Sequence, residues 1–197
     1  MCIPKPSIEQ VEKYLKEWDN LDEGKYYAQE EALNKLFFEL CPYNKDINSI
    51  LIKAATLNNF YSTNVYYIYD VAKHIESLNI DERLNALDIN LIDDIKKVEI
   101  KGKGIVMNFY SFATKYCSHH KPAYYPIYDK YVDAVTRYFR DKDKFYEFKN
   151  KDLKEYSKFK NIISEFIKFY KLDEYCFKQI DRYLWQLGKE LQSISKK

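Results

Sequence analysis

The stretch KFKNIISEFIKFYKLDEYCFKQIDRYLWQLGKELQSI, residues 158–194, decides the fold class. Its apolar residues recur at Phe159, Ile162, Ile163, Phe166, Ile167 and Tyr170, then at Ile180, Leu184, Leu187, Leu191 and Ile194. Steps of three and four residues place each set on one face of a helix, so two amphipathic helices are expected here. The same spacing appears upstream. Leu33, Leu36, Phe37, Leu40 and Cys41 form a stripe that stops at Pro42, and Ile50, Leu51, Ala54 and Leu57 form another behind a capping Asp46. Ser7, with Gln10 three residues on, opens a first helix to about Trp18. Ser62 or Thr63 caps a helix to about Leu78, and short helices follow near 81–87 and 90–98. Gly102 and Gly104 interrupt a lysine-rich loop, after which a helix is expected from near Ile105 to about His119. Pro126 fits the first turn of a helix through Val132, Val135 and Phe139. No segment sustains a two-residue alternation, and 4 Gly and 5 Pro are too few for a turn-rich sandwich or barrel. The chain reads as all-α.

Composition narrows the function classes. The 32 basic and 30 acidic residues give a net charge of +2, which excludes a generally basic polyanion binder and leaves only local patches. One such patch runs from Lys96 to Lys121, with Lys97, Lys101, Lys103 and Lys115 between them and Glu99 as the one acid. It reads either as a solvated loop or as a phosphate-contacting surface. The cysteines, Cys2, Cys41, Cys117 and Cys176, have no paired spacing and are expected to be free thiols in a reducing compartment. No apolar leader or membrane-length run occurs, so a cytoplasmic location is expected.

Two residues carry the candidate chemistry. Lys115 lies in Ser111-Phe112-Ala113-Thr114-Lys115-Tyr116-Cys117, aromatic and small-residue company that can desolvate an amine and make it nucleophilic. Asp129, fourteen residues on (129 − 115), follows Tyr125-Pro126-Ile127-Tyr128 near a helix start, where the helix dipole favours a carboxylate. The alternative is a surface lysine and an ordinary first-turn aspartate. Cys117, His119 and His120, with His74 elsewhere, lack metal-site spacing, so no metal is expected. Tyr66-Tyr67-Ile68-Tyr69 is either a base-stacking segment or a half-buried seam between helices.

The order of these features resembles the helix-hairpin-helix DNA glycosylase superfamily, nearest to its 8-oxoguanine glycosylase/lyases. The resemblance is carried by Leu57-Asn58-Asn59-Phe60-Tyr61-Ser62-Thr63-Asn64, then Lys115, then Pro126-Ile127-Tyr128-Asp129-Lys130-Tyr131-Val132. Asp181-Arg182-Tyr183-Leu184-Trp185-Gln186-Leu187-Gly188-Lys189 is similar to the ending of the archaeal-type members. It implies a multi-helix, two-lobed bundle, with a core over 46–139 and flanking helices 1–45 and 140–197 forming the second lobe. It also implies a monomer that acts on double-stranded DNA without a cofactor. Lys115 would attack the sugar C1′ and hold it as a Schiff base, and Asp129 would stabilise positive charge there. Asn58 and Asn59 would fill the gap left by a flipped purine, with 8-oxoguanine the guessed lesion. Lys101, Lys103 and Lys121 would contact phosphates, and Trp185 and Lys189 would line the base pocket, although Trp185 also fits a core position. Where the family hairpin carries Gly-x-Gly just before its lysine, this chain has Phe112 and Ala113. A catalytically silent DNA-binding module, or a glycosylase for modified bases in phage defence or mobile elements, is the alternative.

Overall fold

The computed structural model describes residues 3–195, and it is mainly helical. Contacts divide the chain into two compact units. Unit 2 is Ala28–Tyr124, and unit 1 joins Met1–Tyr27 to Tyr125–Lys197. The boundaries thus fall at 27/28 and 124/125, not at 45/46 and 139/140. Residues 130–139 belong with the termini because the helix they open packs against the last helix of the chain.

In unit 1, Ser7 caps α1 (Ile8–Trp18) by accepting from the Gln10 amide at 3.3 Å. After the boundary come α8 (Lys130–Asp143), α9 (Tyr156–Phe169) and α10 (Phe177–Ser195). The α9 stripe is buried at Phe159, Ile162, Ile163 and Phe166, and the α10 stripe at Ile180, Leu184 and Leu187. Gln186 is buried on α10 and donates to the Tyr14 carbonyl at 2.9 Å, which ties α10 to α1. Pro126 lies outside the helix. Asp129 is the N-cap residue of α8, so the turn expected to begin at Pro126 begins four residues later.

Unit 2 contains most of α2 (Lys25–Asn34), which widens into a π-helical turn at Lys35–Leu40. That widening rotates the apolar stripe, so that Leu33, Leu36 and Phe37 are buried while Leu40 is 65% exposed. Asp46 caps α3 (Ile47–Tyr61) by accepting from the Ser49 amide at 2.9 Å. The next helix, α4 (Ile68–Ser77), begins well after the expected Ser62 or Thr63. Ser62 ends α3 in the left-handed region, and the Asn58 side chain pins the following loop. Its oxygen accepts from the Thr63 hydroxyl at 2.7 Å and the Val65 amide at 2.9 Å. Then come α5 (Ile80–Asn85) and α6 (Leu91–Ile95).

The chain is mainly helical, in keeping with the all-α expectation, and carries one short hairpin. Strands β1 (Lys97–Ile100) and β2 (Ile105–Asn108) pair antiparallel in the register Lys97↔Asn108 to Ile100↔Ile105. Val98 and Ile100 are buried while Lys97 and Glu99 face solvent, a period-2 pattern only four residues long. Gly102 and Gly104, at φ +77° and +61°, supply the left-handed turn that reverses the chain. The helix expected from Ile105 therefore starts at Tyr110 and is α7 (Tyr110–His120). Among the described residues, no helix is long and apolar enough to cross a membrane.

Candidate functional site

Lys115 lies in unit 2 on α7, whose residues from Phe112 to His119 are all buried. The Lys115 amine is on a residue only 3% exposed. It donates to the Ser111 hydroxyl at 2.7 Å, one turn back, and sits 5.3 Å from the centre of the Tyr61 ring. The Tyr61 hydroxyl lies 3.0 Å from His119 Nε2, and the His119 ring packs 5.2 Å from that of Phe37. Cys117, two residues on, is fully buried, and burial pushes its thiol well above the usual range, so it is no activated nucleophile.

A second buried lysine in unit 2 went unread in the sequence. Lys53 of α3 is 0% exposed and donates to the Tyr43 carbonyl at 2.9 Å and to Asn44 Oδ1 at 2.7 Å. Asn44 is the hub of the cluster. It accepts from the Tyr116 hydroxyl at 2.6 Å, and its amide nitrogen donates to Asp81 at 2.6 Å and lies 3.2 Å from His120 Nε2. Burial lowers the Lys53 amine to about 8, against the opposing pull of Asp81, Cys41 and Asp46. Burial, then the Lys53 and Lys121 charges, holds His120 well below the ordinary imidazole value. The neutral ring accepts hydrogen bonds here, so the network is built for one protonation pattern. Its signal was spacing: position 53 lies three residues from Ile50 and four from Leu57, on the same buried face.

Asp129 lies in unit 1, so the boundary at 124/125 separates it in the chain from Lys115. Its Oδ1 accepts from the amides of Tyr131 at 2.8 Å and Val132 at 3.0 Å, which fixes the carboxylate at the head of α8. Two residues on, Tyr131 meets α10 where Gly188 allows close approach. A Cβ at Gly188 would stand 2.6 Å from Tyr131 Cβ and 2.8 Å from its carbonyl oxygen. One turn around α10, the Trp185 ring lies 5.8 Å from Tyr131, 4.9 Å from Tyr26 and 5.8 Å from Trp18. The Lys189 ammonium sits 4.3 Å from the Trp185 ring centre and 5.0 Å from that of Tyr26. Trp185 and Lys189 are both half-buried, so Trp185 is not a closed core residue. This crossing thus gathers Asp129, Trp185 and Lys189 in one unit. Tyr26 and Trp18 complete the cluster and were missed because they lie more than 150 residues away in sequence (185 − 26 = 159).

The residues expected to touch DNA in unit 2 divide. Asn58 is committed to the loop after α3, with its Nδ2 donating to the Val65 carbonyl at 3.1 Å, whereas Asn59 beside it is exposed. Lys121 is half-buried and donates to Asn85 Oδ1 at 3.0 Å. Lys101 and Lys103 project from the turn between β1 and β2. Among the described residues no group of three or more His, Cys, Asp or Glu is placed to hold a metal ion, and Cys41, Cys117 and Cys176 are unbridged. Cys2 lies outside the described residues.

Fold and geometry together give a mainly helical, two-unit chain with Lys53 and Lys115 buried in unit 2 and an aromatic helix crossing in unit 1. The chain belongs to the family described as HI_0787_N, N-terminal domain, whose model matches residues 10–124. That match ends where unit 2 ends. A Haemophilus influenzae protein described as uncharacterized is 50% identical over 140 residues, which is 71% of this chain and 66%, just under two thirds, of that protein's length. No solved structure matches the chain.

Proposed function

We propose that this chain is a DNA base-excision enzyme of the helix-hairpin-helix glycosylase type, with AP-lyase activity, acting as a cytoplasmic monomer on duplex DNA. The observation that supports it most is the α8–α10 crossing in unit 1. A carboxylate fixed by its helix cap and an aromatic cluster holding a cation lie around one helix contact. A flipped purine presents a π-face that stacks on such rings, and flipping costs about a few kcal/mol, least at a damaged pair. Trp185 and Lys189 receive the base in this reading, and 8-oxoguanine is the first lesion to test. Asp129 stabilises the positive charge that develops at C1′ as the bond to the base lengthens. The base leaves with the electron pair of the C1′–N bond and takes up a proton. An amine in its free-base form attacks C1′ and, after loss of its proton and opening of the sugar ring, holds it as an imine; Lys115 is the first amine to test in that role. Elimination from that imine nicks the strand. Lys101 and Lys103 contact phosphates, and Asn59 fills the vacated stack in place of the loop-bound Asn58. The chemistry asks for no cofactor.

One observation favours a second reading, a DNA-binding module without lyase activity. Lys115 is only 3% exposed and its amine is already held by the Ser111 hydroxyl. Borohydride trapping on lesion-bearing duplexes separates the two. A covalent complex formed by the wild type and lost in Lys115→Gln supports the enzyme. A complex lost instead in Lys189→Gln moves the amine to the crossing. No trapped species across a panel of damaged and modified bases, with duplex binding retained, leaves the binding module.

A further inference from the structure

The lysine-rich patch of the sequence does not survive folding as one surface. Lys96 is 8% exposed and paired with Asp93, Lys115 is buried, and Lys121 is engaged by Asn85. What remains is Lys97, Lys101 and Lys103, all exposed on one β-hairpin with Glu99 as its single acid. The tyrosines of 66–69 are likewise no closed seam, since Tyr66 is 85% exposed and Tyr69 62% exposed. The two features meet. α4 packs on β1, and the Lys103 ammonium donates to the Tyr67 hydroxyl at 3.0 Å and sits 5.0 Å from that ring's centre. On β2, Val106 and Ile105 add apolar surface at 68% and 41% exposure.

We infer that the β1–β2 hairpin and the tyrosines at the start of α4, Tyr66 and Tyr69, bind single-stranded nucleic acid. Exposed ammoniums track a phosphodiester chain, and exposed rings stack on unpaired bases whatever their sequence. Gly102 and Gly104 have no atom within 4 Å of where a Cβ would stand, so the turn backbone is open to close approach by a phosphate. A second copy of the chain paired along the edge of β2 is the other occupant, and the test reads it as a separate outcome. A duplex hides the base faces that Tyr66 and Tyr69 offer. This surface lies wholly in unit 2; it shares Lys101 and Lys103 with the proposed excision, whereas Tyr66 and Tyr69 belong to it alone.

The test is fluorescence anisotropy with labelled oligothymidylate, a labelled RNA strand and a labelled duplex, on the full chain. The expected result is that the single strands bind more tightly than the duplex. Tyr66→Ala/Tyr69→Ala then weakens single-strand binding by about tenfold or more. Lys101→Glu/Lys103→Glu weakens it at least as much, and Lys101→Gln/Lys103→Gln lowers the salt slope by about 0.7 per lysine removed. All these side chains are exposed, so an unchanged circular dichroism spectrum certifies the variants. Preference for oligothymidylate or for RNA identifies which strand the surface takes. The inference is overturned if the wild type binds no strand, if these variants bind as the wild type does, or if the duplex binds better and ignores the tyrosines. It is also overturned if the hairpin mediates self-association that Val106→Lys abolishes. Strand binding without base excision sinks the excision reading alone; excision with single-strand binding unchanged in Tyr66→Ala/Tyr69→Ala sinks this one alone.

Discussion

The Lys53 cluster of unit 2 and the α8–α10 crossing of unit 1 both surround a lysine with aromatic rings, yet they do opposite work. Lys53 is 0% exposed and directs its amine to Tyr43, Asn44 and His120, with Phe37 and Tyr116 closing the sides. A buried polar group satisfied in this way holds neighbouring elements in one arrangement and leaves little to offer a ligand. Lys189 is half-buried, and its main neighbours are ring faces, Trp185 at 4.3 Å and Tyr26 at 5.0 Å. Trp185, Tyr26 and Tyr131 are all half-buried, so their rings have faces left to give. The contrast separates a lysine enclosed by hydrogen-bond partners from one held against half-buried rings.

Breaking the scaffold should have the largest effect. Lys53→Ala leaves Asn44 short of a donor inside unit 2 and opens a void, and should cost about 3 kcal/mol in urea unfolding. A loss under about 0.5 kcal/mol would mean that the cluster is not a scaffold. Gly188→Ala drives a methyl into the Tyr131 backbone and should cost about 2 kcal/mol, since backbone cannot swing aside as a side-chain tip can. It should also change tryptophan emission, because the chain's 2 tryptophans, Trp18 and Trp185, both lie in this cluster. Asn58→Ala removes the bonds to Thr63 and Val65 and should cost about 1–2 kcal/mol, while Asn59→Ala should stay within about 0.5 kcal/mol. Equal losses at the two asparagines would undo the division of roles drawn between them.

A further effect, modest per pH unit, is in pH dependence. The Lys53 amine is lowered to about 8 in the folded chain, while an unfolded lysine titrates near its ordinary 10.5. Below pH 8 both states hold the proton, and the cost of burying the charge is fully present. Between about pH 8 and 10.5 the unfolded chain holds the extra proton, so the contribution of this group to stability rises with pH. The slope is at most about 1.4 kcal/mol per pH unit. Subtracting the stability profile of Lys53→Met from that of the wild type should reveal that rise. A difference that is flat or falling across the window would show that the amine is not desolvated.

Helical periodicity made α3, α9 and α10 legible, because each buries a stripe wide enough to repeat. The caps at Ser7 and Asp46 were legible for a local reason: each side chain bonds an amide three residues on. The β-hairpin was not read because four alternating residues give too short a pattern, and its burial depends on α4 and α6 packing over β1. The start of α4 was misplaced because Ser62 and Thr63 look like caps, while it is Asn58, inside the preceding helix, that bonds their loop. At the site, Asp129 was readable as a helix head. Its partners Tyr26 and Trp18 come from the other end of the chain, where no local pattern points to them.

The measurement closest to the central claim is single-turnover release of free base, followed by mass spectrometry, from duplexes bearing 8-oxoguanine and a panel of other altered bases. The account predicts stoichiometric release of at least one base by the wild type, and release slowed roughly 100-fold or more in Asp129→Asn, which loses the charge that faces C1′. Wild-type protein that binds these duplexes and releases no base from any of them, or an Asp129→Asn variant that releases base at the wild-type rate, would contradict it.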